Sequence, residues 1–102
     1  MDTDAYPLPN TSDDLHGQVA LVTGATSGLG RRFALVLAAA GAQVVAAGRR
    51  RVRLDDVVAE IEGAGGSAVG VEIDMTDTES ILAGVDGAEA AFGTITILVN
   101  NA

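Results

Sequence analysis

The residues whose types and spacing point to chemistry are concentrated in one glycine-rich segment of this chain, Thr23–Gly30 (TGATSGLG). An apolar run, Gln18–Val22, precedes this segment, and an amphipathic helical pattern follows it. The order strand, glycine turn, helix directs free backbone N–H groups and the positive end of a helix dipole toward a phosphate group. In this arrangement Gly24 permits a tight turn, Gly28 lets phosphates approach the backbone, and Gly30 lets the helix pack closely on the sheet.

The hydroxyl groups of Thr26 and Ser27 add two further donors to this segment. Glycine also occurs in such turns for structural reasons alone, but here the spacing, the preceding strand and the following helix agree. We therefore interpret the segment as a nucleotide-binding loop. A P-loop is excluded because that motif requires a lysine, which the sequence lacks. A hydrolase centre built from His16 and Ser27 is disfavoured, because phosphate binding explains a serine in this loop better.

Composition and charge restrict the other possibilities. The chain of 102 residues has no cysteine, which excludes disulfides and thiolate chemistry and suggests a cytoplasmic protein. It has one histidine, which excludes a cluster of histidine metal ligands. The net charge is −8, so we expect no nucleic-acid partner. We also expect no membrane association, because no apolar run reaches the ~18 residues of a membrane span. All six basic residues are arginines, and the cluster Arg49–Arg53 contains four of them, which indicates a local anion site.

Alternating strand and helix patterns position the loop. Four apolar runs predict strands at Gln18–Thr23, Gln43–Ala47, Ala68–Ile73 and Ile95–Val99. Three helical patterns lie between them: Leu29–Ala40, Leu54–Ile61, and a third that opens with Thr76–Glu79 as a capping box and continues to Phe92.

The order β-α-β-α-β-α-β requires right-handed crossovers and a parallel sheet. We therefore predict an α/β fold, a Rossmann-type doubly wound parallel sheet with the first four strands in the order 3-2-1-4. The glycine loop then lies at the carboxyl edge, beside the point where the strand order reverses. Residues 1–14 carry four aspartates and two prolines and are predicted to form a flexible acidic tail, so that residues 15–102 hold the dinucleotide-binding unit.

The glycine spacing, Gly-x3-Gly-x-Gly, resembles that of the short-chain dehydrogenase/reductase family. Four segments stand in the family's order and spacing: Val19–Gly24, Gly48–Arg50, Asp74–Asp77 and Asn100–Ala102. The resemblance covers the chain from about residue 15 to residue 102. It implies a nicotinamide dinucleotide cofactor and hydride transfer to or from a carbonyl or alcohol substrate. A Rossmann methyltransferase is disfavoured, because its glycine loop has a different spacing and gives the arginine cluster no role.

The end of the second strand bears on the choice of cofactor. In NAD-dependent members of the family, an acidic residue there accepts hydrogen bonds from the ribose 2′-hydroxyl. Gly48 stands at that place here and Arg49 follows it, which suits a phosphate dianion. We therefore expect NADP(H), with NAD(H) as the alternative. The alternative is that these arginines are exposed to solvent and bind no ligand.

The resemblance also implies that Asp74 meets the adenine amino group, that the backbone of Met75 contacts the ring, and that Asn100 lies along the cofactor. Asp74 is also suited to capping the following helix, and the two roles are compatible. The Asn-Asn-Ala motif is expected to tie the fourth strand to its neighbours. Together the expected cofactor-binding residues are Gly24, Thr26, Ser27, Gly28, Leu29, Gly30, Arg49, Asp74, Met75, Asn100 and Ala102.

The family's catalytic residues have no counterpart in this sequence. The resemblance implies a serine, a tyrosine and a lysine four residues after the tyrosine, but the chain has no lysine and its one tyrosine, Tyr6, stands in the predicted tail. We therefore expect the 102 residues to be inactive alone and to be the N-terminal part of a longer NAD(P)-dependent oxidoreductase that acts on a small-molecule alcohol or carbonyl compound and forms a homo-oligomer. The alternative is a short non-catalytic nucleotide-binding module or a non-functional remnant.

Overall fold

A computed structural model describes residues 15–101 of the chain. The predicted acidic tail, Tyr6 and Ala102 lie outside the described residues. Strands and helices alternate through the described part, in the order β1 (Val19–Val22), α1 (Gly28–Ala39), β2 (Gln43–Gly48), α2 (Arg51–Gly63), β3 (Ser67–Glu72), α3 (Thr78–Phe92) and β4 (Ile97–Val99).

The strands form one parallel sheet in the order β3-β2-β1-β4. In the register of this sheet Val22 is paired with Ala46 of β2 on one side and with Val99 of β4 on the other. The predicted strand order and the Rossmann-type α/β class are therefore confirmed. Because all strands are parallel, their carboxyl ends lie at one edge, and the order reverses between β1 and β4.

Both faces of β1 and β2 are covered, which explains their continuous apolar runs, whereas Leu98 of β4 is 64% exposed. On one face Val22 and Val44 pack with Leu54 and Ile61 of α2 and with residues of α1. On the other face Leu21, Val45 and their neighbours pack against α3. Each large side chain that is fully buried stabilises the fold by about 1.5–3 kcal/mol relative to an exposed one. The burial of Leu54 and Ile61 also fixes which side of α2 faces the sheet.

The start of α3 differs from the sequence prediction. The capping box beginning at Thr76 is wrong, because Asp77 is the N-cap and its carboxylate accepts hydrogen bonds from the backbone N–H groups of Glu79 and Ser80. Thr76 instead donates to Asp74. The two adjacent residues are both good caps, and the hydrogen bond to Asp74 removes Thr76 from the competition.

Candidate nucleotide-binding site

A cavity of about 590 Å³ opens at the carboxyl edge of the sheet. Its walls come from three chain segments that follow β1, β2 and β3, where parallel α/β sheets place their ligands. The lining residues after β1 are Thr23, Gly24 and Thr26; those at the end of β2 and the start of α2 are Ala47, Gly48, Arg49, Arg50 and Arg53; those after β3 are Ile73, Asp74, Met75 and Thr76.

The glycines of the loop after β1 serve two different purposes. Gly24 has a φ of +62°, and a Cβ added there would collide with the backbone oxygen of Asn101. A Cβ at Gly30 would collide with the backbone oxygen of Gly24. Gly28 has a φ of +38°, but an added Cβ would meet no atom within 4 Å. Gly24 and Gly30 therefore allow the loop to pack tightly, whereas Gly28 leaves open space above the start of α1.

The N-terminus of α1 is left available to an anion. The N-cap Ser27 has an extended backbone and its side chain makes no capping hydrogen bond, and the first turn carries no acidic residue. The first N–H groups of a helix have no partner within the helix. Here the backbone oxygen of Ser27 accepts from Arg31, so the N–H groups of Gly28, Leu29 and Gly30 precede the first helical hydrogen bond. The partial positive charge of the helix dipole acts at the same place.

A buried hydroxyl connects this loop to the end of β4. Thr23 is only 3% exposed, and its Oγ1 accepts a hydrogen bond of 2.9 Å from the backbone N–H of Asn101. The same hydroxyl has two acceptors for its proton, the Val99 backbone oxygen at 3.3 Å and Asn100 Oδ1 at 3.1 Å. Sequence reasoning missed Thr23 as a site residue, although a threonine that ends an apolar strand is a detectable signal. Asn100 itself lies beside the cavity and does not line it.

The arginine cluster divides between two directions. Arg49, Arg50 and Arg53 line the cavity. Arg51 lies against β3, where its Nε is 3.2 Å from Glu72 Oε1 and its Nη1 donates to the Gly70 backbone oxygen at 3.1 Å. Of these arginines, sequence reasoning assigned only Arg49 to the site; Arg50 is the N-cap of α2 and Arg53 lies in its first turn.

The end of β2 is crowded as well as basic. A Cβ added to Gly48 would lie 3.2 Å from Thr26 Cγ2 and 3.3 Å from Leu54 Cδ2, so a larger residue there requires these neighbours to give way. The position holds no carboxylate that would repel a phosphate beside Arg49. This end of the cavity therefore favours an anionic group.

Asp74 holds a fixed carboxylate at the opposite wall. Its Oδ1 accepts hydrogen bonds from Thr76 Oγ1 at 2.6 Å and from the Thr76 backbone N–H at 2.9 Å. These two bonds, the side-chain one first, lower the pKa of Asp74; desolvation opposes them, and the positive charge of Arg49 adds a lesser lowering effect. Asp74 is therefore ionised at neutral pH, and it caps the turn at Thr76 rather than α3.

The structure brings together part of the predicted set. Gly24, Thr26, Arg49, Asp74 and Met75 line the cavity. The other described residues of the set do not line it; they are Ser27, Gly28, Leu29 and Gly30 at the start of α1 and Asn100 after β4. No helix within residues 15–101 is long and apolar enough to cross a membrane. The same residues hold no group of three His, Cys, Asp or Glu side chains suited to a metal ion.

Comparisons with known proteins agree with this geometry. Residues 18–102 match the family model for short chain dehydrogenases. The chain is 45% identical over 94 residues to the peroxisomal hydratase-dehydrogenase-epimerase of Neurospora crassa, which covers 92% of this chain and 10% of that protein. The structure is similar to the hydroxysteroid dehydrogenase of Escherichia coli, with a TM-score of 0.85 and 36% identity over 91% of this chain and 38% of that one.

The structure is also similar to that of a metagenomic short-chain oxidoreductase in complex with NADP, with a TM-score of 0.82 and 43% identity. This match covers 86% of this chain and 40% of that one. The chain spans 10%, 32% and 34% of the length of three curated relatives that it matches. The similarity therefore concerns the part of those proteins that matches the glycine loop, the sheet and the three helices described here.

Proposed function

This chain belongs to the short chain dehydrogenase family, and we propose from that premise that it binds NADP(H) in the cavity at the carboxyl edge of its sheet, as the cofactor-binding part of an oxidoreductase. NAD(H) is the alternative cofactor. When bound, the nicotinamide would supply the hydride that is exchanged with the substrate. The residues of this chain would hold, orient and select the dinucleotide.

The observation that carries the proposal is the charge around the end of β2. Three arginines line the cavity, and Gly48 stands where an acidic residue would disfavour a phosphate. NADP(H) differs from NAD(H) by a phosphate at the ribose 2′ position. One charge-assisted hydrogen bond of about 1.5–3 kcal/mol changes the preference by about one to two orders of magnitude. Two structural neighbours are complexes with NADP and NADPH, the metagenomic oxidoreductase and the actinorhodin polyketide ketoreductase.

The remaining groups fit the other parts of a dinucleotide. The open space above Gly28 and the free N–H groups of the first turn of α1 suit a pyrophosphate, and the hydroxyls of Thr26 and Ser27 lie in the same loop. We assign the adenine to the wall formed by Asp74 and Met75, because an ionised carboxylate accepts from an exocyclic amino group. Asn100 is proposed to lie along the cofactor.

The reaction proposed for the intact protein is hydride transfer between this cofactor and a small-molecule alcohol or carbonyl substrate. We assign no catalytic residue to the 102 residues, and we expect them to be inactive when expressed alone. The intact protein is further proposed to be a cytoplasmic homo-oligomer with no nucleic-acid or membrane partner. If the intact gene product binds the dinucleotide and shows no oxidoreductase activity toward alcohols or carbonyl compounds, the non-catalytic module is the correct reading.

The cofactor assignment is tested with Arg49→Asp in the intact gene product. The new carboxylate would repel a 2′-phosphate and accept from a ribose hydroxyl, so the ratio of dissociation constants for NADP(H) and NAD(H) should move toward NAD(H). Val52→Asp is the control for a new carboxylate nearby, because Val52 is 73% exposed in the first turn of α2, three residues after Arg49, and does not line the cavity. An unchanged ratio in Arg49→Asp, or an equal change in both variants, contradicts the assignment.

A further inference from the structure

We propose that Arg53 is a second residue that selects the 2′-phosphate, acting beside Arg49 from the first turn of α2. This inference rests on the proposed function, since it concerns the same cavity and the same cofactor. The sequence pattern assigned only Arg49, directly after β2, to the 2′-phosphate. Arg53 adds a second cation, which lies on α2.

The orientation of α2 brings Arg53 to the cavity. Leu54 and Val57 are buried against the sheet, and Leu54 lies close to Gly48 at the end of β2. This packing fixes the rotation of the helix about its axis. In an α-helix the Cα–Cβ bond tilts toward the N-terminus, so the side chain of Arg53 starts in the direction of Arg49 and the cavity. Arg53 accordingly lines the cavity together with Arg49 and Arg50.

Arg51 is a neighbour on the same turn that has a different task. Its guanidinium group contacts Glu72 and the Gly70 backbone oxygen on β3, and it lies 3.6 Å from Asp55 on its own helix. Arg51 thus attaches α2 to β3 and does not line the cavity. Two arginines that are two positions apart on one helix therefore differ in whether they face the ligand.

Two of the three arginines that line the cavity have no acidic partner among residues 15–101. Within residues 15–101 neither Arg50 nor Arg53 has an ion-pair partner, and α2 has no acidic residue in its first turn. Of the described residues that line the cavity, Asp74 alone is acidic, and its Oδ1 is engaged by Thr76. Positive side chains at a helix N-terminus are unfavourable, because they add to the positive end of the dipole. A phosphate dianion between Arg49 and Arg53 would offset this repulsion.

The test uses the intact gene product and two fragments of the cofactor, adenosine 2′,5′-bisphosphate and adenosine 5′-monophosphate. Both contain the adenosine half, and only the first carries the 2′-phosphate. Their dissociation constants are measured by titration calorimetry for the wild type, for Arg53→Gln and for Arg51→Gln. The two variants lose the same charge from the same helix turn, so Arg51→Gln is the matched control for a long-range charge effect. Thermal unfolding of each variant shows that it is folded.

We expect Arg53→Gln to weaken binding of the bisphosphate by about ten-fold or more, the loss of one charge-assisted hydrogen bond. Binding of the monophosphate should not change, and Arg51→Gln should keep the wild-type ratio of the two constants. A wild type that prefers the bisphosphate and keeps that preference in Arg53→Gln overturns the inference and leaves the proposed function standing. A wild type that binds both fragments equally overturns the proposed choice of NADP(H), and this inference with it.

Discussion

Substitution of Gly28 by alanine separates cofactor binding from folding. An added Cβ at Gly28 meets no atom within 4 Å, so the folded chain has room for the methyl group. The backbone φ of +38° is unfavourable for any residue with a side chain, and the left-handed conformation costs about 1–2 kcal/mol of stability. The affinity for NADP(H) should fall much further, because the methyl group occupies the space through which the pyrophosphate reaches the N–H groups of α1.

The expected size of this loss follows from those N–H groups. Moving the pyrophosphate away from one of them forfeits a charge-assisted hydrogen bond of about 1.5–3 kcal/mol, which weakens binding by about ten-fold to a hundred-fold or more. Gly65→Ala is the matched control, because Gly65 has a φ of +93°, also has open space around it, and lines a separate cavity that includes His16 and Ser67. Titration calorimetry with NADP⁺ and thermal unfolding are measured on both variants of the intact protein. Wild-type affinity in Gly28→Ala, or an equal loss in Gly65→Ala, refutes the reasoning.

Two further predictions concern the acidic side chains at the end of β3 and the start of α3. Thr76→Val removes the hydroxyl that donates to Asp74 and should raise the pKa of Asp74 toward its ordinary value, whereas Thr76→Ser should not; carboxyl NMR titration measures this. Because the pKa of Asp74 is lowered in the folded state, its contribution to stability is present above its ordinary pKa of 3.8 and is lost as the pH falls through the lowered value. Thr76→Val should therefore reduce stability at neutral pH more than in strong acid, and parallel pH–stability curves would contradict this. Asp77→Ala should lower the free energy of unfolding by about 1 kcal/mol, because α3 loses its cap. Asp86→Ala, on the exposed side of the same helix, should lower it by less than about 0.5 kcal/mol. Chemical denaturation measures both, and equal losses would show that the cap is unimportant.

The two central strands, β1 and β2, were predictable because burial on both faces demands apolar residues at successive positions. β1 and most of β2 are fully buried, and their runs of valine and alanine give a signal that no exposed segment would give. The start of β4 was less predictable, since the pairing with β1 begins at Ile97 while the run of β-branched residues begins at Ile95. The side chain of Thr96 accepts from the Val19 backbone N–H, a contact that depends on the folded sheet.

Residues that line the cavity could be predicted from the sequence where they lie close to the end of a strand. Arg49 is the first residue after β2 and Asp74 the second after β3, so the parallel sheet brings them to one edge. Arg53 depends instead on the rotation of α2, which Leu54 determines by packing on the sheet. In the sequence, Arg51 and Arg53 are equivalent members of one basic run. The contacts of Arg51 with Glu72 and the Gly70 backbone oxygen on β3 direct its side chain away from the cavity.

The glycine motif likewise does not show in the sequence which glycine serves which purpose. The three glycines form one pattern in the sequence, but Gly24 and Gly30 are required by contacts inside the protein, and Gly28 is the one beside open space. The contact of Gly24 with the backbone of Asn101, and the hydrogen bond from Asn101 to Thr23, hold the loop against the end of β4. A change that displaces Asn101 should therefore weaken dinucleotide binding without contact between its side chain and the ligand. We therefore expect the Asn-Asn segment to influence the proposed phosphate site through the shape of the loop.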